Sequence, residues 1–502
     1  MRLGDGMRRA YLMGIDNGGT VTKAALYDTA GIEIAVSSVK TEMRFPCPGH
    51  TEKNLDDLWA ANARVVAEVM KKAGVEPTEV AGVAVAGHGN GLYLVDSDGT
   101  PTHDGINSAD SRAAGYVAQW YRDGTFEKVF PRTCQAIWAA QPPALLAWFR
   151  DHDPRTLERT RWILMCKDYI RYRLTGEVYA ELTDSSGTNL MNIHDLRYDP
   201  EVLCTYGLAD VACKLPPVRR SAEICGRVTR AAADATGLRE GTPVAGGLFD
   251  IDACSIASGV TDPGRLCLIA GSWSINEFIN PAPIQDPDIF MTSAYCMPGW
   301  WLITEASATS ASNLEWLISE VVSGVPYERI NAMVESIAPA DSDVTFLPFL
   351  YGSNEGPEAS GSFLGLRGWH GRAHLLRAVY EGVAFSHKTH IERLFGHRGP
   401  AQAARIAGGA AKSDVWVRMF ADVLQLPIEL TGCEELGAMG AALCAGVAVG
   451  LFGSFAEAVQ GMVRVSRTIE PRRENREVYR EKYARYRKYV AALQGAWRGE
   501  VH

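Results

Sequence analysis

The sequence predicts a duplicated α/β fold in two domains. Three observations predict it. The 502 residues suit two domains of ordinary size. Short apolar runs alternate with segments of 3–4 periodicity along the chain, the pattern of strands and helices in layered sheets. Each half also opens on two strands joined by a glycine-and-hydroxyl tip: Gly18-Gly19-Thr20 in the first half, Gly271-Ser272-Trp273-Ser274 in the second. The domains are expected at 10–258 and 262–497, with 258–263 as the hinge.

Charge and composition narrow the function. A formal net charge of −9 argues against nucleic acid as a partner. The 11 cysteines are scattered without a Cys-x-x-Cys pair, which fits a reducing cytoplasm and no zinc site. The opening MRLGDGMRRA lacks the apolar core of a signal peptide. The longest uncharged run, 436–456, is rich in glycine and alanine. It predicts close helix packing rather than a membrane span.

In chain order, residues 11–16 read as a strand, 21–28 as its hairpin partner and the stretch to 39 as a third strand. The tip joins an acidic residue, Asp16, to Gly18, Gly19, Thr20, Thr22 and Lys23. Backbone N–H groups at paired glycines cradle anionic oxygens, hydroxyls add donors, and a carboxylate such as Asp16 can hold magnesium. A plain glycine turn is the competing reading. Residues 55–73 have helical spacing with Gly74 as the stop. A strand at 80–86 ends in Gly87-His88-Gly89-Asn90-Gly91, a polar strand end suited either to a ligand site or to a turn. Asp110 and Arg112 follow, as hydroxyl ligands or as a surface ion pair. Trp138 is a stacking platform or core. Residues 167–176 predict a short helix, and 183–187 a polar loop.

Residues 243–259, PVAGGLFDIDACSIASG, are the centre of the reading. An apolar run meets two glycines, then Asp250, then a small-residue helix start. Asp250 is a candidate general base or a helix cap; Asp252 is a cap or a supporting group.

The second half repeats the outline. A strand at 265–270, the Gly271-Ser272 tip and a return strand come first. A strand at 301–305 and a long helix from about 312 follow. Next come a strand at 344–349, a loop at 350–366 and a helix at 375–394. A strand at 405–407 ends in Gly408-Gly409 before a helix from Ser413, a site for a base or phosphate. A last strand is expected at 428–430, a tight helix at 437–450, and a docking helix through Tyr479, Tyr483 and Tyr486. His374, His387 and His390 are not expected to bind metal.

DNGGTVTKAALYD, NSADSRA, KDYIRYRLTG, TDSSGTNLMN, PVAGGLFD, GGAAKSDVW and LGAMGAALCAG together resemble the FGGY carbohydrate kinases, over residues 10–497. Within that family the chain is most similar to the bacterial L-xylulose kinases. The resemblance implies two actin-like, ribonuclease-H-like domains about a cleft, and transfer of the ATP γ-phosphate to a hydroxyl of a small sugar. It implies Asp250 as the catalytic base, and ATP contacts at Asp16, Gly18, Gly19, Thr20, Thr22, Lys23, Gly271, Ser272, Gly408, Gly409 and Ser413. Sugar contacts fall on His88, Asn90, Gly91, Asp110, Arg112, Trp138 and Asp250, and magnesium on Asp16 and Asp250. The expected cofactors are ATP and Mg2+. The expected partner is a small sugar, with no nucleic acid and no membrane, in the cytoplasm; the resemblance leaves the oligomeric state open, with a homodimer as one option.

Two departures bear on the sugar. Gly19 replaces the family's usual threonine, leaving Thr20 to supply the hydroxyl. His88-Gly89-Asn90-Gly91 replaces the Gln-Met-His-Gly of many D-xylulose kinases, and glycerol kinases carry Arg-Glu at Gly89 and Asn90. L-xylulose is the first expectation; 3-keto-L-gulonate, D-xylulose, L-ribulose and erythritol are the alternatives. An actin- or Hsp70-like ATPase and a catalytically silent sugar sensor are the readings from other classes.

Overall fold

The computed structural model describes residues 10–356 and 358–498. Residues 1–9, which carry most of the stretch read against a signal peptide, and Pro357 of the 350–366 loop lie outside the described residues. The chain divides into two compact units. Unit 1 comprises 1–261, 279–303 and 433–464; unit 2 comprises 262–278, 304–432 and 465–502.

Unit 1 opens on an antiparallel meander, β1 (Tyr11–Asn17), β2 (Val21–Asp28) and β3 (Glu33–Lys40). Its first helix, α1 (Leu55–Ala73), is the one predicted from spacing. Asn54 caps it by accepting from the amides of Asp56 and Asp57, a bond of about 1 kcal/mol. Gly74 ends it in the left-handed conformation. Its apolar face, including Leu58, Val65, Val66 and Val69, is buried in the unit 1 core with Met13, Ile15 and Leu26 of the sheet. The next strand, β4 (Val80–Gly87), runs parallel to β1, so both end on the same side. The small-residue pattern Val-Ala-Gly-Val-Ala-Val-Ala suits a strand covered on both faces.

Two short helices lie beyond it, α2 (Cys166–Thr175) and α3 (Leu182–Ser186). The second corrects the expected polar loop at 183–187. Glu181 caps this turn through the amides of Thr183 and Asp184, and all five helical residues are buried. Then β5 (Pro243–Ala245) and β6 (Leu248–Phe249) both pair in parallel with β4, and α4 (Asp250–Ala257) begins immediately after β6.

Unit 2 repeats the plan. Antiparallel β7 (Arg265–Ala270) and β8 (Ser274–Asn280) form the second hairpin, with β9 (Trp301–Ser307) beside β8. The long helix expected from 312 is two helices, Ser312–Glu320 and Tyr327–Glu335, separated by a stretch containing Gly324 and Pro326. The main helix is α5 (Arg372–Gly396). Strand β10 (Ala403–Ala407) lies parallel to β7, followed by α6 (Asp414–Leu424) and a further parallel strand, β11 (Ile428–Thr431).

The chain then returns to unit 1 as α7 (Leu436–Ala448), which packs on β1, β4 and α4. This is the glycine–alanine run. No helix among the described residues is long and apolar enough to cross a membrane. Strand β12 (Val465–Ile469) then adds antiparallel to β11, one strand beyond the expected last one, and α8 (Arg476–Trp497) closes the chain. Both sheets therefore share the order meander, then parallel strands: β3-β2-β1-β4-β5 in unit 1 and β9-β8-β7-β10-β11 in unit 2, with antiparallel β12 at the edge.

Candidate active site

In unit 1 the carboxyl ends of parallel β1, β4 and β6 lie side by side. Asp16 is paired with Ala86 in register, Asn17 with Gly87, and Phe249 with Gly87. Ligands in α/β sheets bind outside such strand ends. Here the register gathers Asp16, His88-Gly89-Asn90 and Asp250 from stretches far apart in the chain.

The first tip is a tight turn. Gly18 N–H closes it on the Val21 carbonyl at 3.0 Å, and Thr20 stands exposed. Thr22 is buried instead and donates to Asn17 Oδ1 at 3.1 Å. Its hydroxyl thus holds the hairpin, and Thr20 is the hydroxyl at the surface. Burial pushes the Asp16 carboxyl up to about 6, against the pull of Lys23. Lys23 itself is tied to Glu435, Nζ to Oε2 at 2.6 Å.

His88 is buried and neutral. Burial, and then the charge of Lys53, push it down to about 4. Its Nε2 lies 2.9 Å from the Tyr93 hydroxyl and 3.5 Å from Asn107 Nδ2. Asn90 takes a left-handed φ of 60°, and its buried Oδ1 has no hydrogen-bond partner among the described residues. An orphaned buried acceptor is costly unless a ligand donor meets it. Gly89 makes room for Phe249: a β-carbon there would fall within 3.0 Å of the ring. Gly91 N–H donates to the Ala140 carbonyl at 2.8 Å, which joins this strand end to the Trp138 segment.

Asp250 is the first residue of α4 and is partly exposed. The N-cap is Phe249, with no side-chain capping bond, so the cap reading holds for neither Asp250 nor Asp252. Asp252 is fully buried in the first turn. The approach to Asp250 is a constrained turn, with Gly247 at φ 93° packed on the Val85 carbonyl.

The other sugar-side residues divide. Asp110 accepts from Thr51 N–H at 2.7 Å and from the Arg112 guanidinium, and Arg112 also reaches Glu52 Oε1 at 2.6 Å. With the Arg112 side chain 1% exposed and its guanidinium over Trp148 at 5.1 Å, this pair braces the 49–53 segment. Trp138 is half-buried and stacks on Phe290, ring centroids 4.9 Å apart.

In unit 2 the second tip and the Gly408-Gly409 turn are brought together. A β-carbon on Gly408, at φ 85°, would lie closer than 3.0 Å to the Ala270 carbonyl just before Gly271. Gly271 accepts from Ala311 N–H at 2.8 Å, and the Ser272 carbonyl accepts from the Ser312 hydroxyl at 3.2 Å. Ser413 caps α6 through Trp416 N–H and donates to Asn331 Oδ1 at 2.7 Å; Trp416 stacks on Tyr380. His387 lies between Asn276 Oδ1 at 2.7 Å and the Ser310 hydroxyl at 3.0 Å, as a core residue.

A set of buried charges around Lys167 has no counterpart among the residues singled out from the sequence. Lys167 pairs with Asp168, Glu181 and Asp184 at 3.0, 3.4 and 3.3 Å, and Arg171 pairs with Asp168 at 2.8 Å. Two cations face three carboxylates. Burial accordingly pushes the Asp184 carboxyl up, to about 7. The available signal was KDYIR followed by TDSSG, charged groups in otherwise apolar surroundings.

The comparisons agree with this geometry. The FGGY family of carbohydrate kinases, N-terminal domain, matches residues 11–257, and its C-terminal domain matches 266–449. The chain is 38% identical to the L-xylulose/3-keto-L-gulonate kinase of Escherichia coli (strain K12) over 487 residues, 97% of each chain. It is 38% identical to a "Probable L-xylulose kinase" of Pasteurella multocida over 96% of this chain and 99% of that one. Among solved structures, the xylulose kinase of Rhodospirillum rubrum superposes with a TM-score of 0.88 at 26% identity, covering 97% of this chain and 100% of that one. Two family domains in order, on two units that each carry the hairpin and parallel strands, make this chain a sugar phosphotransferase belonging to the FGGY family of carbohydrate kinases.

Proposed function

We propose that this sugar kinase phosphorylates L-xylulose with ATP. The observation that carries the reading is the orphaned Asn90 acceptor beside neutral His88, at the same strand ends as Asp250. That set offers a polyhydroxylated ligand one acceptor, one imidazole and one carboxylate. Asp250 takes the proton as the sugar oxygen bonds to the γ-phosphorus and the bond to ADP breaks. The Gly18–Thr20 and Gly271–Ser272 tips each present backbone and hydroxyl groups to phosphate oxygens, and Gly408-Gly409 faces the nucleoside. The half-buried Asp16 carboxyl, raised by desolvation despite Lys23, fits a cation neighbour. Asp16, with Asp250, would hold magnesium, which when bound neutralises phosphate charge. Catalysis by the chain itself is then positioning and exclusion of water, with movement at 258–263.

A second sugar is favoured by one observation. Lys53 is 1% exposed, its ammonium is bound by the Thr41 hydroxyl at 2.8 Å, and burial pushes it down. A buried cation near His88 suits a sugar acid, and 3-keto-L-gulonate is the candidate. Coupled ADP-release assays across L-xylulose, 3-keto-L-gulonate, D-xylulose, L-ribulose and erythritol test the reading. L-xylulose is expected to give the highest kcat/KM. A tenfold preference for the sugar acid that disappears in Lys53→Gln would install the second reading. Steady ATP hydrolysis indifferent to every sugar would instead support an Hsp70-like ATPase.

A further inference from the structure

We infer that Thr183 is a positioning residue for Asp250, acting through the Phe249 backbone. This rests on the reading of Asp250 as the base. Phe249 N–H, one residue before Asp250, donates to Thr183 Oγ1 at 2.9 Å. The Thr183 hydroxyl donates onward to Glu181 Oε2 at 2.7 Å, which orients its lone pairs toward the amide. Glu181 is held in turn by the Ser221 hydroxyl at 2.7 Å, by Thr183 N–H at 2.9 Å and by Lys167. A second clamp grips the other end of the turn. Arg171 donates to the Gly246 carbonyl at 2.6 Å and to the Tyr179 carbonyl, with Asp168 on its flank.

The turn from Gly246 to Phe249 is therefore fixed at both ends by side chains that are 0–1% exposed. Neither clamp residue stands among the groups proposed to touch sugar or nucleotide. What they share is the backbone that launches α4 with Asp250 at its first position. Without a side-chain capping bond on this helix, the Phe249 amide has Thr183 as its partner. A carboxylate that must meet a hydroxyl proton works over a narrow range of positions, and a misplacement of about 1 Å costs about 100-fold in rate. The buried ion set holds Glu181 in place: away from Lys167 and the Thr183 and Ser221 hydroxyls, its fully buried carboxylate would lose its partners.

The test is steady-state ADP release with L-xylulose by the full chain, comparing wild type with Thr183→Val, Thr183→Ser, Asp250→Asn and the Thr183→Val/Asp250→Asn double variant. Thr183→Val is expected to lower kcat about 10- to 100-fold, with KM for sugar and ATP within about threefold. Thr183→Ser, which keeps the hydroxyl, is expected to recover kcat to within about threefold of wild type. In the Asp250→Asn background, adding Thr183→Val is expected to change the residual rate less than about twofold, because the group it positions is gone. An unchanged kcat in Thr183→Val overturns the inference. So does a Thr183→Ser variant as slow as Thr183→Val, or a full penalty in the double variant. If Thr183→Val does not fold, Arg171→Lys carries the test by shortening the reach to Gly246 while keeping the charge; wild-type kcat there overturns the inference. Wild-type turnover in Asp250→Asn alone removes the base reading itself, a result distinct from each of these.

Discussion

Gly437 of α7 lies against the Asp16 carboxyl group: a β-carbon on that glycine would stand closer than 3.0 Å to both carboxyl oxygens. The helix that returns to unit 1 thus sets the floor beneath the carboxylate proposed to hold magnesium. Gly437→Ala must displace either the helix or Asp16. It is expected to lower kcat at least tenfold and to raise the magnesium concentration needed for half-maximal rate. A magnesium titration of ADP release checks this, and an unaltered titration would count against the proposed role of Asp16.

Asp16 should also show a conflict between stability and activity. Its folded pKa of about 6 lies above its ordinary 3.8. The folded chain therefore holds this proton more tightly than the unfolded chain. The associated stability is fully present below about pH 4 and is lost as pH rises through about 6. Two pKa units correspond to about 3 kcal/mol. Asp16→Asn is expected to melt a few degrees higher than wild type at pH 8 without nucleotide, to converge with it at pH 4–5, and to lose at least 100-fold in turnover. Identical melting at pH 8 would contradict the burial cost.

The buried histidines act in the opposite direction. Burial pushes His387 down to about 3, well below its ordinary 6.5. Its contribution is present above about pH 6.5 and is lost as pH falls toward 3. His387→Gln is expected to melt lower at pH 7, and to lose less than wild type between pH 7 and pH 5. Melting curves at the two pH values decide it; equal acid losses would exclude His387 as a source.

Gly89→Ala drives a methyl group into the Phe249 ring. The ring belongs to the residue before Asp250, so both sugar binding and chemistry should suffer. The expected result is a loss of at least tenfold in kcat/KM for L-xylulose, with KM for ATP within about threefold. Normal kcat/KM would show that the ring moves aside without consequence.

Ser413 has its hydroxyl engaged at the start of α6 and with Asn331. Ser413→Ala is expected to cost about 1 kcal/mol in stability, the usual worth of an N-cap. KM for ATP should stay within about twofold. A large rise in that KM without loss of stability would place Ser413 among the nucleotide contacts.

Local signals were legible in the chain wherever one segment carried its own pattern. Residues 55–73 show helical spacing and a terminal Gly74, and the helix has those limits. Both glycine-hydroxyl tips are hairpin turns, as their flanking strands required. What stayed hidden depends on partners distant in sequence. Asp110 and Arg112 read equally as hydroxyl ligands or an ion pair, because their bonds to Thr51 and Glu52 join segments 59 and 60 residues apart. TDSSG looked like a loop because its cap, Glu181, acts on a turn buried against other elements. Thr183 carried no pattern at all; its meaning lies in the Phe249 amide, 66 residues away in sequence. No spacing rule links a threonine to a backbone amide at that distance.

The return of α7 to unit 1 fixes an order of events during synthesis. Strands β1 and β4 and helix α4 are made early, yet the helix that packs on them ends at Ala448. At translation speeds of about 5–20 residues per second, the ribosome needs about 10–40 s to travel from the end of α4 to the end of α7. Through that interval the nascent first unit lacks one wall of its core, while all of 262–432 emerges. Its apolar face must wait for its covering helix, so a chain stopped near 261 lacks the cover that α7 gives β1, β4 and α4.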